Sequence, residues 1–60
     1  MSRKDYIIVA GVIHSQLVEH ITNNTIVDVL VTVSHTLADR MKHDNPNFNR
    51  TRFLAACGVE

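Results

Sequence analysis

Thr25-Ile26-Val27-Asp28-Val29-Leu30-Val31-Thr32-Val33-Ser34-His35-Thr36-Leu37-Ala38-Asp39-Arg40-Met41-Lys42 is the stretch in which strand and helix compete. Val27, Val29, Val31 and Val33 alternate with Asp28, Leu30 and Thr32, and valine favours strands. Length tips the balance. The segment runs on to Lys42 with no Gly or Pro, well past the usual strand of about five or six residues. Ile26, Leu30, Val33, Leu37 and Met41 fall on one helical stripe, and Asp28, Thr32, His35, Asp39 and Lys42 form a polar face opposite. The sequence predicts a helix from about Ile26 to about Asp44, with Thr25 and Asp28 as its opening cap signal.

On the N-terminal side, Thr22-Asn23-Asn24 is a polar break of helix-hairpin length. Before it, Ser2 and Asp5 read as an N-cap and a first-turn acid, which predicts a helix from about Arg3 to about His20. Tyr6, Ala10, Ile13, Leu17 and Ile21 make its main apolar stripe. The two stripes are expected to pack as an antiparallel helical hairpin, each helix roughly 27–30 Å long at 1.5 Å per residue. Gly11, poor in a helix interior, marks either a close crossing or a tolerated residue.

On the C-terminal side the punctuation is dense. Pro46 bars Asn45 from the α region, so the second helix should stop at Asp44. Asn49 is a good N-cap for a short helix over about 50–57. Phe48 before the cap and Phe53 at the fourth helical position have hydrophobic-staple spacing. Gly58 supplies a left-handed closing residue, and Val59 can touch Leu54 as a Schellman ending requires. A helix this short is unstable alone in water and must dock; Phe48, Phe53, Leu54 and Cys57 are expected to cover one end of the hairpin.

Sixty residues make one small all-α domain with a marginal core. The single cysteine, Cys57, excludes an internal disulfide and points to a reducing compartment. Ser2-Arg3-Lys4-Asp5 precedes an apolar run that His14, Ser15 and Gln16 interrupt. We therefore expect neither a signal peptide nor a membrane span, and a cytosolic location.

Both long helices carry more apolar surface than one hairpin needs. Ile8 and Val12 lie one turn apart and away from the main stripe, with Ile7, Gly11 and Val18 on another flank. Val27, Val31, Ser34 and Ala38 follow a second seam on the later helix. Such surface belongs in a larger core than one chain supplies. The expected solution is a homodimer with a four-helix core, its interface at Ile8, Val12, Val27, Val31 and Ala38.

Site chemistry is sparse. His35, Asp39 and His43 stand at i, i+4 and i+8, but without further ligands they read as a solvated face rather than a metal site. Cys57 has no activating neighbour in sequence and reads as a buried, inert thiol. His20 reads as a residue favoured by the dipole at its helix end, while His14 flanks polar positions. No Gly-rich phosphate loop, catalytic carboxylate pair or triad order occurs, so neither catalysis nor a cofactor is expected.

Six basic and six acidic residues give a formal net charge of zero, without the basic excess of a dedicated nucleic-acid binder. Arg50 and Arg52 are expected to solubilise the docked helix or pair with Asp44. The alternative function is nucleic-acid binding through Arg3, Lys4, Arg50 and Arg52 gathered in a dimer.

Ser2-Arg3-Lys4-Asp5-Tyr6 at one end and Asp44-Asn45-Pro46-x-Phe48-x-Arg50-x-Arg52-Phe53-Leu54-x-x-Cys57-Gly58 at the other resemble short uncharacterised proteins of tailed bacteriophages and prophages. Those proteins typically end in D-N-P-x-F-D-x-x-R-F-L-x-A-C-G after a variable helical middle. Asn49 stands here where their pattern has Asp, and both residues cap helices. The resemblance implies a phage-encoded accessory protein of the host cytoplasm, supplies no function and carries over no catalytic or binding residue. Binding to an unidentified host or phage protein is expected from the surplus apolar surface.

Overall fold

The computed structural model describes residues 2–60. Their regular structure is three α-helices: α1 (Arg3–Glu19), α2 (Asn24–Asp44) and α3 (Arg50–Cys57). Ser2 opens α1, its backbone N–H and its hydroxyl both donating to the Asp5 carboxylate, at 3.0 and 3.1 Å. The turn that follows is tight, the Asn23 N–H reaching the His20 carbonyl at 2.9 Å. α2 begins two residues earlier than the Thr25 signal suggests. Asn23 is the true cap, its Oδ1 accepting from the Ile26 N–H at 3.1 Å, and Thr25 and Asp28 lie inside the helix.

The C-terminal devices all form. Asn45 is extended before Pro46 (φ −139°, ψ 98°). A turn follows, with the Phe48 N–H on the Asn45 carbonyl at 2.9 Å and the Asn47 N–H on Asn45 Oδ1 at 3.1 Å. Lys42 bridges this connection, its Nζ donating to the carbonyls of Pro46 (2.7 Å) and Phe48 (3.1 Å). Asn49 Oδ1 caps α3 by accepting from the Arg52 N–H at 2.9 Å. At the other end Gly58 is left-handed (φ 85°). The Val59 N–H reaches the Leu54 carbonyl and the Gly58 N–H the Ala55 carbonyl, at 3.1 and 3.0 Å, which is the Schellman pair.

α3 does not merely cover one end of a hairpin. It packs against both long helices, and α1 leans on it more than on α2. The core is Ala10, Ile13 and Leu17 of α1, Ala38 and Met41 of α2, Phe48, and Phe53, Leu54 and Cys57 of α3. Phe48 is its aromatic hinge, with ring centroids 4.7 Å from Tyr6 and 5.5 Å from Phe53.

This arrangement corrects the expected facing of α2. Ser34 and Ala38 are fully buried, whereas Val33 is 41% exposed. The seam through Val27, Val31, Ser34 and Ala38 therefore turns into its own chain. Ala38 cannot contribute to a subunit interface, and Val27 and Val31 are half-buried. Small side chains explain the choice: Ser34 and Ala38 let α2 approach closely enough to bury Leu54 and Cys57 completely. Leu30 and Leu37 pack at the edge of this core. The buried Ser34 hydroxyl donates back to the Leu30 carbonyl at 2.8 Å, so no polar cost remains. Ile21, assigned to the α1 stripe, instead falls in the turn beyond Glu19 and is 64% exposed.

Candidate functional site

After the core is assembled Val29 and Val33 of α2 stay exposed, and two further surfaces involve α1. One is the outer side of α1. Ala10, Ile13 and Leu17 face inward, which leaves Ile8 and Val12 pointing away from the core and Ile7 and Val18 on its flank. Of the five residues expected at a subunit interface, only Ile8 and Val12 are open to a partner over most of their surface.

The other surface is a cleft of about 480 Å³ between the start of α1 and the connection leading into α3. Tyr6, Ala10, Phe48 and Phe53 form its floor, and Ile7 and Ala56 its apolar walls. Arg3, Arg52, Asn45, Asn47 and Asn49 form a polar rim, and no carboxylate lines it. The sequence reading singled out Arg3, Phe48, Asn49, Arg52 and Phe53 separately. Sequence alone does not show that they share a cleft, with Asn45 and Asn47 on its rim and Ile7 and Ala56 as its walls. The signal was available in part: the run Asn45-Pro46-Asn47-Phe48-Asn49 alternates amide and ring beside two arginines.

The charged residues sort into two groups. Arg50 pairs with Asp39 (Nε–Oδ1 2.8 Å), and its Nη2 lies 3.1 Å from His35 Nδ1. Pairing with Asp44 is one of the two roles expected for the α3 arginines, but Asp44 meets Arg40 and His43, both at 3.3 Å. These are the ion pairs among the described residues, and Arg3, Lys4 and Arg52 enter none of them. Arg50 is thus turned toward α2 and does not line the cleft that Arg3 and Arg52 border within this chain. His35 and Asp39 are joined by a cation, and among the described residues no group of three His, Cys, Asp or Glu side chains is arranged to hold a metal ion.

Cys57 lies at the bottom of the core. Burial pushes its thiol above the ordinary range, and the neighbouring Ser34 hydroxyl offsets part of that effect. His14 sits over the αL turn, its ring directly against Gly58. Among the described residues, no helix is long and apolar enough to cross a membrane.

Compared with known proteins, the chain matches no family model, no curated protein and no solved structure.

Proposed function

We propose that this chain is a small phage-type accessory protein that self-associates and acts by binding another protein in the host cytoplasm, without catalysis. The observation that supports it is the outer side of α1, where Ile8, Val12 and Val18 are 56, 60 and 60% exposed. Fully burying such side chains is worth roughly 1.5–3 kcal/mol each, enough for a few to hold two copies together. A homodimer pairing α1 with its counterpart, the long helices of both copies forming a four-helix assembly, covers this side by symmetry.

The mass in solution at micromolar concentration tests the reading. The wild-type chain is expected to be dimeric, and Ile8→Glu or Val12→Glu monomeric with unchanged helicity. A wild-type monomer would sink self-association. The alternative, nucleic-acid binding, draws on Arg3 and Arg52 beside one cleft, but Arg50 is tied to Asp39. Affinity for DNA that falls steeply with salt would favour it.

A further inference from the structure

We infer that the cleft between α1 and the 45–49 connection seats an acidic segment of a partner protein, one apolar side chain entering while flanking carboxylates meet Arg3 and Arg52. This deepens the protein-binding half of the proposed function and rests on it, but not on self-association.

Charge points to the sign of the ligand. Six residues are Lys or Arg. Arg40 and Arg50 are in ion pairs, and Lys42 is held by two backbone carbonyls. Arg3, Lys4 and Arg52 remain, and two of these three border the cleft, which no carboxylate lines. Among the described residues, two of the three side-chain cations outside ion pairs and backbone contacts thus border one concave apolar surface. The Asn rim acts in the same sense. Asn45 and Asn49 commit their side-chain carbonyl oxygens to local backbone N–H groups, which leaves their amide NH₂ groups as donors for carboxylates or peptide carbonyls.

The floor points to a peptide rather than a nucleobase. Single-stranded nucleic acid binds on exposed ring faces. Here Phe48 and Phe53 are only 5 and 4% exposed and pack on each other, and the half-buried Tyr6 is engaged edge-to-face with Phe48. The accessible apolar walls are aliphatic and small, Ile7 and Ala56, with Ala10 below. A cleft of about 480 Å³ is large enough for a leucine or phenylalanine side chain and part of its backbone.

The test uses the full chain and short fluorescent peptides rich in Asp and Glu around one central Leu, read by anisotropy at low and raised salt. The same peptides with Asn and Gln, the same peptides with Gly for Leu, and an oligothymidine are the comparisons. The acidic Leu peptide is expected to bind saturably and more weakly as salt rises. Arg3→Gln and Arg52→Gln should each weaken it about three- to fivefold, the loss of one exposed ion pair. Ala56→Trp, which fills the cleft from an exposed helix position, should abolish binding while the helical spectrum stays intact; Ile7→Gln is a second variant of the apolar wall and should weaken it. No saturable binding, indifference to both arginine substitutions and to the apolar-wall variants, or tighter binding of oligothymidine would each overturn the inference. Peptide binding retained by monomeric Ile8→Glu would support it, and a dimer that binds no acidic peptide would overturn it while leaving self-association standing.

Discussion

Arg50 Nε donates to Asp39 Oδ1 at 2.8 Å, tying the first residue of α3 to the middle of α2. The same guanidinium lies 3.1 Å from His35 Nδ1. A guanidinium only donates, so His35 must accept at Nδ1 and carry its proton on Nε2. Long-range ¹⁵N–¹H spectra are expected to show the Nε2–H tautomer in the wild-type chain; an Nδ1–H tautomer would exclude this contact. Both ends of the ion pair are substantially exposed, so Asp39→Asn should cost no more than about 1 kcal/mol in denaturant unfolding.

Phe48 and Phe53 form the aromatic hinge between the connection and α3. Truncating either to Ala is expected to remove about 3–5 kcal/mol, comparable with all the stability a chain of this size possesses. Thermal melting followed by circular dichroism should show an unfolded or non-cooperative chain at 25 °C. An unchanged melt would reassign the pair from core to binding surface.

At Gly58 two effects can be separated. Its φ of +85° disfavours any side chain, and an added Cβ would stand 2.6 Å from His14 Nδ1. His14 is exposed and can swing away, whereas the backbone angle cannot relax without opening the Schellman turn. Gly58→Ala should therefore cost about 1–2 kcal/mol, and most of that loss should persist in the double variant with His14→Ala. Full recovery in that background would locate the whole effect in the ring contact.

Ser34 tests the close approach of α2 and α3. Ser34→Ala keeps the small volume and removes a hydroxyl satisfied within its own helix, so a change under about 1 kcal/mol is expected. Ser34→Leu forces a large side chain against Leu54 and Cys57 and should cost about 1–3 kcal/mol or more. Equal stability of the two variants would contradict the burial of this face.

Three groups with shifted pKa values contribute to the pH dependence at its acid and alkaline ends. The Asp5 carboxyl is held below its usual range by hydrogen bonds from the Ser2 backbone N–H and then its hydroxyl. That of Asp44 is lowered by His43 and then Arg40. A depressed folded-state pKa gives stability that is present above the ordinary carboxylate value and lost as pH falls below it. Cys57 has the opposite sign. Its raised pKa gives stability that is intact below the ordinary thiol value and lost as pH rises above it. Urea midpoints should fall as pH drops through the carboxylate range and again as it rises above the ordinary thiol range. Cys57→Ser should flatten the alkaline limb and leave the acid limb in place, while Asp5→Asn should reduce the acid limb.

The ends of α2 and α3 were legible because each depends on a few adjacent residues. Pro46 acts on Asn45, Asn49 on Arg52, and Gly58 on Leu54 and Ala55, all within five positions. The start of α2 was read two residues late because Thr25–Asp28 and Asn23 are both fair cap signals, and the tight turn on His20 favours the earlier one. The sequence leaves Arg50 either solubilising α3 or pairing with Asp44, because its actual partner, Asp39, is set by how α3 lies on α2. The cleft was invisible for the same reason, since its walls come from the start of α1, the connection and α3.

By itself the sequence determined that three helices form and where the last two end, because capping, proline sterics and a left-handed glycine are local interactions. Only the tertiary structure decided which side of α2 is the inside. That helix carries apolar residues around much of its circumference, and hydrophobic burial has no direction of its own. Shape broke the tie: Ser34 and Ala38 admit Leu54 and Cys57, whereas the branched Val33 is left at the surface. That packing leaves the apolar outer side of α1 exposed and the basic-rimmed cleft open.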